Sequence, residues 1–216
     1  MKLLDKINRS VMEGSGDSVE ELTRQALDQA VEVKTILNEG LVAAMDVVGQ
    51  RFESGELFIP EMLIAALAMT RGLDVLRPLF AESGIKSRGT IIIGTVKDDI
   101  HSIGKSLVSM MAEGAGFKMI DLGVDVAPEQ FVRSVKEEGA QLVSMSALLT
   151  TTMPSMKATI EALEKDGLQH KVKTLIGGAP VTEEYADKIG ADGYAADAAG
   201  AVRKAKELVQ ALLESE

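Results

Sequence analysis

Two residues of the stretch Asp99-Ile100-His101-Ser102-Ile103-Gly104 carry chemistry. A carboxylate that accepts one imidazole N–H fixes the ring's tautomer and leaves the other nitrogen's lone pair for a metal. Asp99 and His101 have the spacing for that arrangement. The plainer alternatives are structural: His101 capping the helix that follows, and Asp99 as an acid favoured near a helix N-terminus. Position favours the chemical reading. Thr90-Ile91-Ile92-Ile93-Gly94 is a β-branched run bounded by glycines and reads as a buried parallel strand. From Lys105 to Gly116, Leu107, Val108, Met111 and Ala115 recur on one side of an amphipathic helix. The pair therefore lies in the loop at a strand's carboxyl end, where open α/β sheets bind their ligands.

That loop needs a sheet to position it. From Gly89 onward the pattern alternates strand and helix. Strands are expected at Thr90–Gly94, Lys118–Leu122, Gln141–Ser146, Val172–Gly177 and near Gly193-Tyr194. Helices are expected at Ser102–Ala115, Pro128–Glu137, Pro154–Lys165, Thr182–Ile189 and Ala198–Glu214. Such alternation implies a doubly wound parallel sheet covered on both faces. In the common five-strand order the topological switch lies between the first and third strands. The loop after the third, Ser146-Ala147-Leu148-Leu149-Thr150-Thr151-Thr152, is uncharged and rich in hydroxyls. It reads either as a polar wall facing His101 or as a strand end with Thr152 capping the helix near Pro154. The fourth strand ends in Gly177-Gly178, a turn or a place where a large group approaches the backbone.

Residues 1 to about 86 carry only helical periodicity. Ser18 and Glu21 have capping-box spacing, followed by Val19, Leu22, Ala26 and Leu27 as a stripe. Ile36, Leu37, Leu41, Met45 and Val48 continue the pattern to Phe52. Ile59 to Phe80 reads as one long apolar helix with Pro60 in its first turn. A bundle of roughly four helices is expected over 1–86, then a polar linker, Ser83 to Gly89, then a second domain over 89–216.

Composition excludes several classes. The net charge of −10 repels nucleic acid, and no apolar run approaches the length of a transmembrane helix. Charges stand in Met1–Lys6 where a secretion signal would be apolar, and there is no Cys, so a cytoplasmic protein without disulfides is expected. Gly104-Lys105-Ser106 looks like the end of a phosphate-binding loop. Asp99 occupies the place of that motif's first glycine with Asp98 beside it, and two carboxylates would repel a phosphate. His170, the other histidine, sits in a polar stretch and is expected to be exposed.

Asp99-x-His101-x-x-Gly104, then Ser146-x-Leu148, then Gly177-Gly178 resembles the three-part signature of cobalamin-binding domains. Phe58-Ile59-Pro60-Glu61 looks like the opening of the helical cap found in cobalamin-dependent methionine synthase and in small corrinoid proteins of methylotrophic methyltransferase systems. The resemblance covers nearly the whole chain. It implies a helical bundle cap followed by a Rossmann-like (flavodoxin-like) five-stranded parallel-sheet domain. The cofactor would be cobalamin or a related corrinoid, cycling among methylcob(III)alamin, cob(I)alamin and cob(II)alamin.

It also implies roles. His101 would be the lower axial ligand to cobalt, in place of the corrinoid's own base, with Asp99 holding its second nitrogen. Thr152 would complete a relay where methionine synthase has a serine. Asp98, Ile100 and Ser102 would pack the corrin's lower face, next to Gly104 of the motif. Ser146, Leu148 and Thr150 would line the slot for the base's tail, bordered by Gly177 and Gly178, with Asp197 and Ala198 at its nucleotide end. Phe58, Met62, Ala65 and Met69, at helical spacing, would cover the upper face or else fill the bundle core.

The function implied is a methyl shuttle. One partner is a substrate-specific methyltransferase, the second an acceptor methyltransferase, with a corrinoid reactivation protein as a further partner. Two other classes differ from it in predictable ways. The small subunit of an adenosylcobalamin mutase would lack the helical cap. A cobalamin-based light sensor would need a DNA-binding module, which the acidic balance disfavours. The methyl donor is not encoded in these motifs, because the partner selects it.

Overall fold

The computed structural model describes residues 2–79 and 87–214. The chain divides into two compact units, one of residues 1–86 with 113–116 and one of residues 87–112 with 117–216. Most of the expected linker, Ser83 to Lys86, lies outside the described residues.

The first unit is helical. α1 (Leu3–Met12) and α2 (Gly16–Asp28) are joined by a tight turn, with Gly14 at φ +72°. That turn starts α2 at Gly16 with Ser15 in the cap position, so the expected Ser18 cap is corrected: Ser18 lies inside the helix. Glu21, its expected partner, instead accepts a bond from Gln25 Nε2 at 3.2 Å. The third helix runs in three consecutive segments: α3 (Val33–Thr35), a π-helical stretch Ile36–Val42, and α4 (Ala43–Glu53). α5 (Ile59–Leu76) opens with Glu61 accepting the Phe58 N–H at 2.9 Å. It ends at Leu76 rather than Phe80, passing into a 3₁₀ turn, Arg77–Leu79. Pro78 is the reason, having no N–H to continue the ladder and a ring that crowds the preceding turn.

The second unit is the expected α/β domain. Its elements are β1 (Thr90–Thr95), α6 (Ile103–Gly114), β2 (Lys118–Asp121), α7 (Pro128–Glu138), β3 (Leu142–Ser146), α8 (Pro154–Lys165), β4 (Lys173–Gly177), α9 (Glu183–Ile189), β5 (Gly193–Ala195) and α10 (Ala198–Glu214). All strand pairs are parallel, in the order β2-β1-β3-β4-β5. The switch therefore falls between β1 and β3, as expected.

All six residues of β1 are buried, as a central strand covered on both faces requires. Ile92, Val143, Met145 and Ile176 pack with Phe131, Met156, Ile160 and Ile189 from α7–α9 in one core. The alternate residues Ile91, Ile93, Leu142 and Leu175 turn to the other face, and α10 lies along β3, β4 and β5. Gly94 is required inside β1 because a Cβ there would stand 2.8 Å from the Phe131 ring. Among the described residues no helix is long and apolar enough to cross a membrane.

Candidate functional site

The loop after β1 is tied down almost atom by atom. Val96 N–H donates to the Ser146 carbonyl at 3.0 Å, and Val96 makes a parallel bridge with Val126. Ser155 Oγ donates to the Lys97 carbonyl at 3.4 Å. Asp98 takes φ +66°, and its N–H reaches Asp125 Oδ1 at 2.7 Å. The Asp99 carbonyl accepts the Asp125 N–H at 2.9 Å. Thr95 Oγ1 donates to the His101 carbonyl at 2.8 Å, and the Ser102 carbonyl starts α6 by accepting the Ser106 N–H at 2.8 Å. His101 is therefore not a helix cap: its carbonyl belongs to Thr95.

The backbone so held directs Asp99 into the domain, where it is fully buried. Oδ1 accepts the His101 backbone N–H at 3.1 Å and lies 2.8 Å from His101 Nδ1. Oδ2 accepts the Leu148 N–H at 2.8 Å and the Thr152 hydroxyl at 2.7 Å. Burial pushes the carboxyl's proton affinity up. The Leu148 N–H, the imidazole, the Thr152 hydroxyl and the His101 N–H together outweigh it, and Asp99 is held well below the usual carboxylate range. An ionised carboxylate only accepts, so Nδ1 carries the hydrogen and the neutral ring's lone pair is on Nε2. The His101 side chain is 47% exposed. A buried anion thus orients an exposed imidazole whose Nε2 makes no hydrogen bond among the described residues.

The surroundings suit a large, partly apolar ligand. Ile100 and Ile103 are 75% and 86% exposed beside His101, and Leu148 and Leu149 are also open. Uncovered aliphatic side chains grouped around a polar atom mark a binding surface. A Cβ built on Gly104 meets nothing within 4 Å, so the start of α6 is open.

The expected site residues of this unit gather at one edge of the sheet. Ser146 is half-buried and in register with Gly177; Thr150 and Ser102 are exposed. Gly178, at φ +136°, runs against the β3 loop: a Cβ there would lie 1.9 Å from the Ala147 carbonyl oxygen. Asp197 caps α10 through the Gly200 N–H at 2.8 Å, and Ala198 is buried behind it. In the helical unit the four stripe residues do not share one open face. Phe58 is 69% exposed, whereas Met62, Ala65 and Met69 are buried, so only Phe58 offers surface to a ligand.

Sequence reasoning missed several contributors. Thr95 and the Leu148 N–H act through a hydroxyl and a backbone donor that carry no motif. Lys105 is buried and paired with Asp121, which also accepts the Gly123 N–H at 2.8 Å. The lysine of the rejected phosphate-loop pattern is thus occupied in joining α6 to the end of β2. Asp125 had a weak signal, an acid in a Gly-containing turn. His170 is exposed, as expected.

The comparisons with known proteins agree with this geometry. A family model described as "B12 binding domain" matches residues 89–203, and a second B12 binding domain model matches residues 3–77. The chain is 44% identical over 209 residues to dimethylamine corrinoid protein 1 of Methanosarcina acetivorans, covering 96% of this chain and 98% of that one. It is 41% identical to a corrinoid protein of Desulfitobacterium hafniense, covering 97% and 98%. Among solved structures, a cobalamin-binding protein of Desulfitobacterium hafniense superposes with a TM-score of 0.78 at 31% identity, covering 95% of this chain and 98% of that one. The methanol:cobalamin methyltransferase complex MtaBC of Methanosarcina barkeri gives 0.85 at 26% identity, covering 99% and 83%.

Proposed function

Because the chain belongs to the B12-binding family of corrinoid proteins, we propose that it is the methyl-carrying subunit of a methylamine-type methyltransferase system. The observation that carries this reading is the fully buried Asp99, whose four hydrogen bonds leave His101 Nε2 open on an exposed ring. One imidazole suits a metal that arrives with its equatorial ligands already in place. The chemistry a bound corrinoid supplies is reversible methyl uptake at cobalt.

The chain's own residues do the rest. His101 would hold the corrinoid's cobalt through Nε2, and Asp99 raises the basicity of that nitrogen and fixes its direction. Thr152 and the Leu148 N–H keep Asp99 ionised. Ile100, Ile103 and Leu148 give an apolar seat next to Ser102 and Gly104. Gly177 and Gly178 let the β4 end close against the Ala195 and Ala147 carbonyls, and the hydroxyls of Ser146 and Thr150 line the same end of the sheet for the corrinoid's tail. Asp98 lends its backbone to this loop, and Asp197 with Ala198 forms the start of α10 at the same edge. The names of the relatives favour a donor methyltransferase acting on dimethylamine or trimethylamine. An acceptor methyltransferase and a reactivation protein complete the cycle.

Electron paramagnetic resonance of the Co(II) form tests the ligation. Coupling to one imidazole nitrogen is expected, and His101→Ala should remove it. Benzimidazole coupling in the wild type would overturn the assignment. Purification from cells grown on single methylamines, with identification of the co-eluting methyltransferase, names the donor.

A further inference from the structure

The loop between β2 and α7 supplies none of the residues expected at the site, yet, beyond the Val96–Val126 bridge, one of its residues grips the His101 loop twice. Asp125 Oδ1 accepts the Asp98 N–H at 2.7 Å, and the Asp125 N–H donates to the Asp99 carbonyl at 2.9 Å. The two bonds lie on either side of the Asp98–Asp99 peptide. Asp98 and Asp125 both occupy the left-handed region, at φ +66° and +55°. That conformation disfavours residues with a Cβ, and Asp tolerates it where its carboxylate bonds locally. With the Asp98 N–H and the Asp99 carbonyl both committed to the β2 side, the Asp99 side chain leaves the backbone toward β3. There it meets the Leu148 N–H and Thr152.

We infer that Asp125 is a positioning residue for the axial ligand: it sets the turn that aims Asp99, and through Asp99 the nitrogen of His101 that faces the metal. Its action is mechanical and needs the acceptor oxygen and the left-handed backbone, not the negative charge. The inference rests on the reading of His101 as a cobalt ligand. Asp98 and Asp125 are themselves outside the core, to which their loops contribute Val96 and Val126.

Three substitutions separate the requirements. Asp125→Asn keeps the acceptor and tolerates the left-handed turn. Asp125→Gly keeps the turn and removes the acceptor. Asp125→Ala removes both. The first readout is ¹⁵N resonance of the His101 imidazole in the protein without corrinoid, where one fixed tautomer is expected in the wild type and in Asp125→Asn. Asp125→Gly should mix the tautomers. The second readout is the Co(II) spectrum of the loaded protein. Asp125→Gly should shift the ratio of imidazole-bound to unbound cobalt by up to about tenfold, the order of one hydrogen bond, and Asp125→Ala further. A Gly variant with wild-type tautomer and wild-type ratio overturns the inference. So does an Asn variant as impaired as the Gly variant, because charge would then be the requirement. If the wild type shows no imidazole coupling, the ligation reading fails, while the tautomer measurement still decides whether Asp125 aims His101.

Discussion

The two units bury polar groups in opposite ways. Among the described residues the helical unit buries one polar side chain, Thr23, and its hydroxyl has no hydrogen-bond partner. The sheet unit buries Thr90, Thr95, Asp99, Lys105, Ser144, Thr152, Thr159 and Thr174, and the side chains of six of them, Thr95, Asp99, Lys105, Thr152, Thr159 and Thr174, are hydrogen-bonded. A bonded polar network holds atoms to a few tenths of an ångström and penalises every alternative. An interior of aliphatics and Met, such as Met45, Met62 and Met69 in the first unit, tolerates repacking. The difference separates a part whose side chains are fixed by polar bonds from a part whose side chains are fixed by apolar packing alone.

Three substitutions would break or sharpen this contrast. Gly178→Ala should have the largest effect. Its Cβ would meet the Ala147 carbonyl oxygen at 1.9 Å from a positive φ, costing about 3 kcal/mol in urea unfolding and abolishing corrinoid retention. Unchanged stability would show that the β3 loop yields and that the sheet unit is less rigid than its hydrogen bonds imply.

Asp99→Asn comes next, at about 2 kcal/mol, because the amide's NH₂ must face a donor that the carboxylate accepted. The pH dependence gives a second check. Asp99 is held below its unfolded value, so its contribution is fully present above about pH 4 and is lost as pH falls from there toward the folded value. The wild type should therefore lose stability in acid more steeply than Asp99→Asn. Parallel curves would remove Asp99 as the anchor of the network.

The smallest effect has the opposite sign. Thr23→Val replaces an unpartnered buried hydroxyl with a methyl of the same shape, and should stabilise the helical unit by up to about 1 kcal/mol. A loss of that size in thermal unfolding would mean that the hydroxyl is satisfied in solution.

Much of this contrast can be read in the residues before any coordinates. The β-branched run at Thr90 and the alternation of strand and helix after it announce the sheet, and the common five-strand order supplies the rest. Asp99 and His101 announce the candidate site, because only a few residue types can orient an imidazole in this way. Other parts have no such mark. The Leu148 N–H is a backbone donor that any residue would supply, so its bond to Asp99 depends on the meeting of two loops far apart in sequence. The π-helical stretch Ile36–Val42 has the residue types of an ordinary helix and differs only in phase. Asp125 is visible as a turn residue, but its hold on Asp98 exists only once Val96 and Val126 are bridged. Pro78 was the readable stop for α5, and the apolar run around it obscured the signal.

Asp99 has a mechanical consequence as well as a chemical one. One of its oxygens holds the imidazole and its backbone N–H; the other holds the main chain and a hydroxyl of the neighbouring loop. The carboxylate is a rigid pin through two loops that the sheet merely sets side by side. A group wedged against Leu148 pushes on the same pin that sets the angle of the ring. A displacement of the Leu148 loop is therefore expected to bear on the His101 ring without any strand having to move.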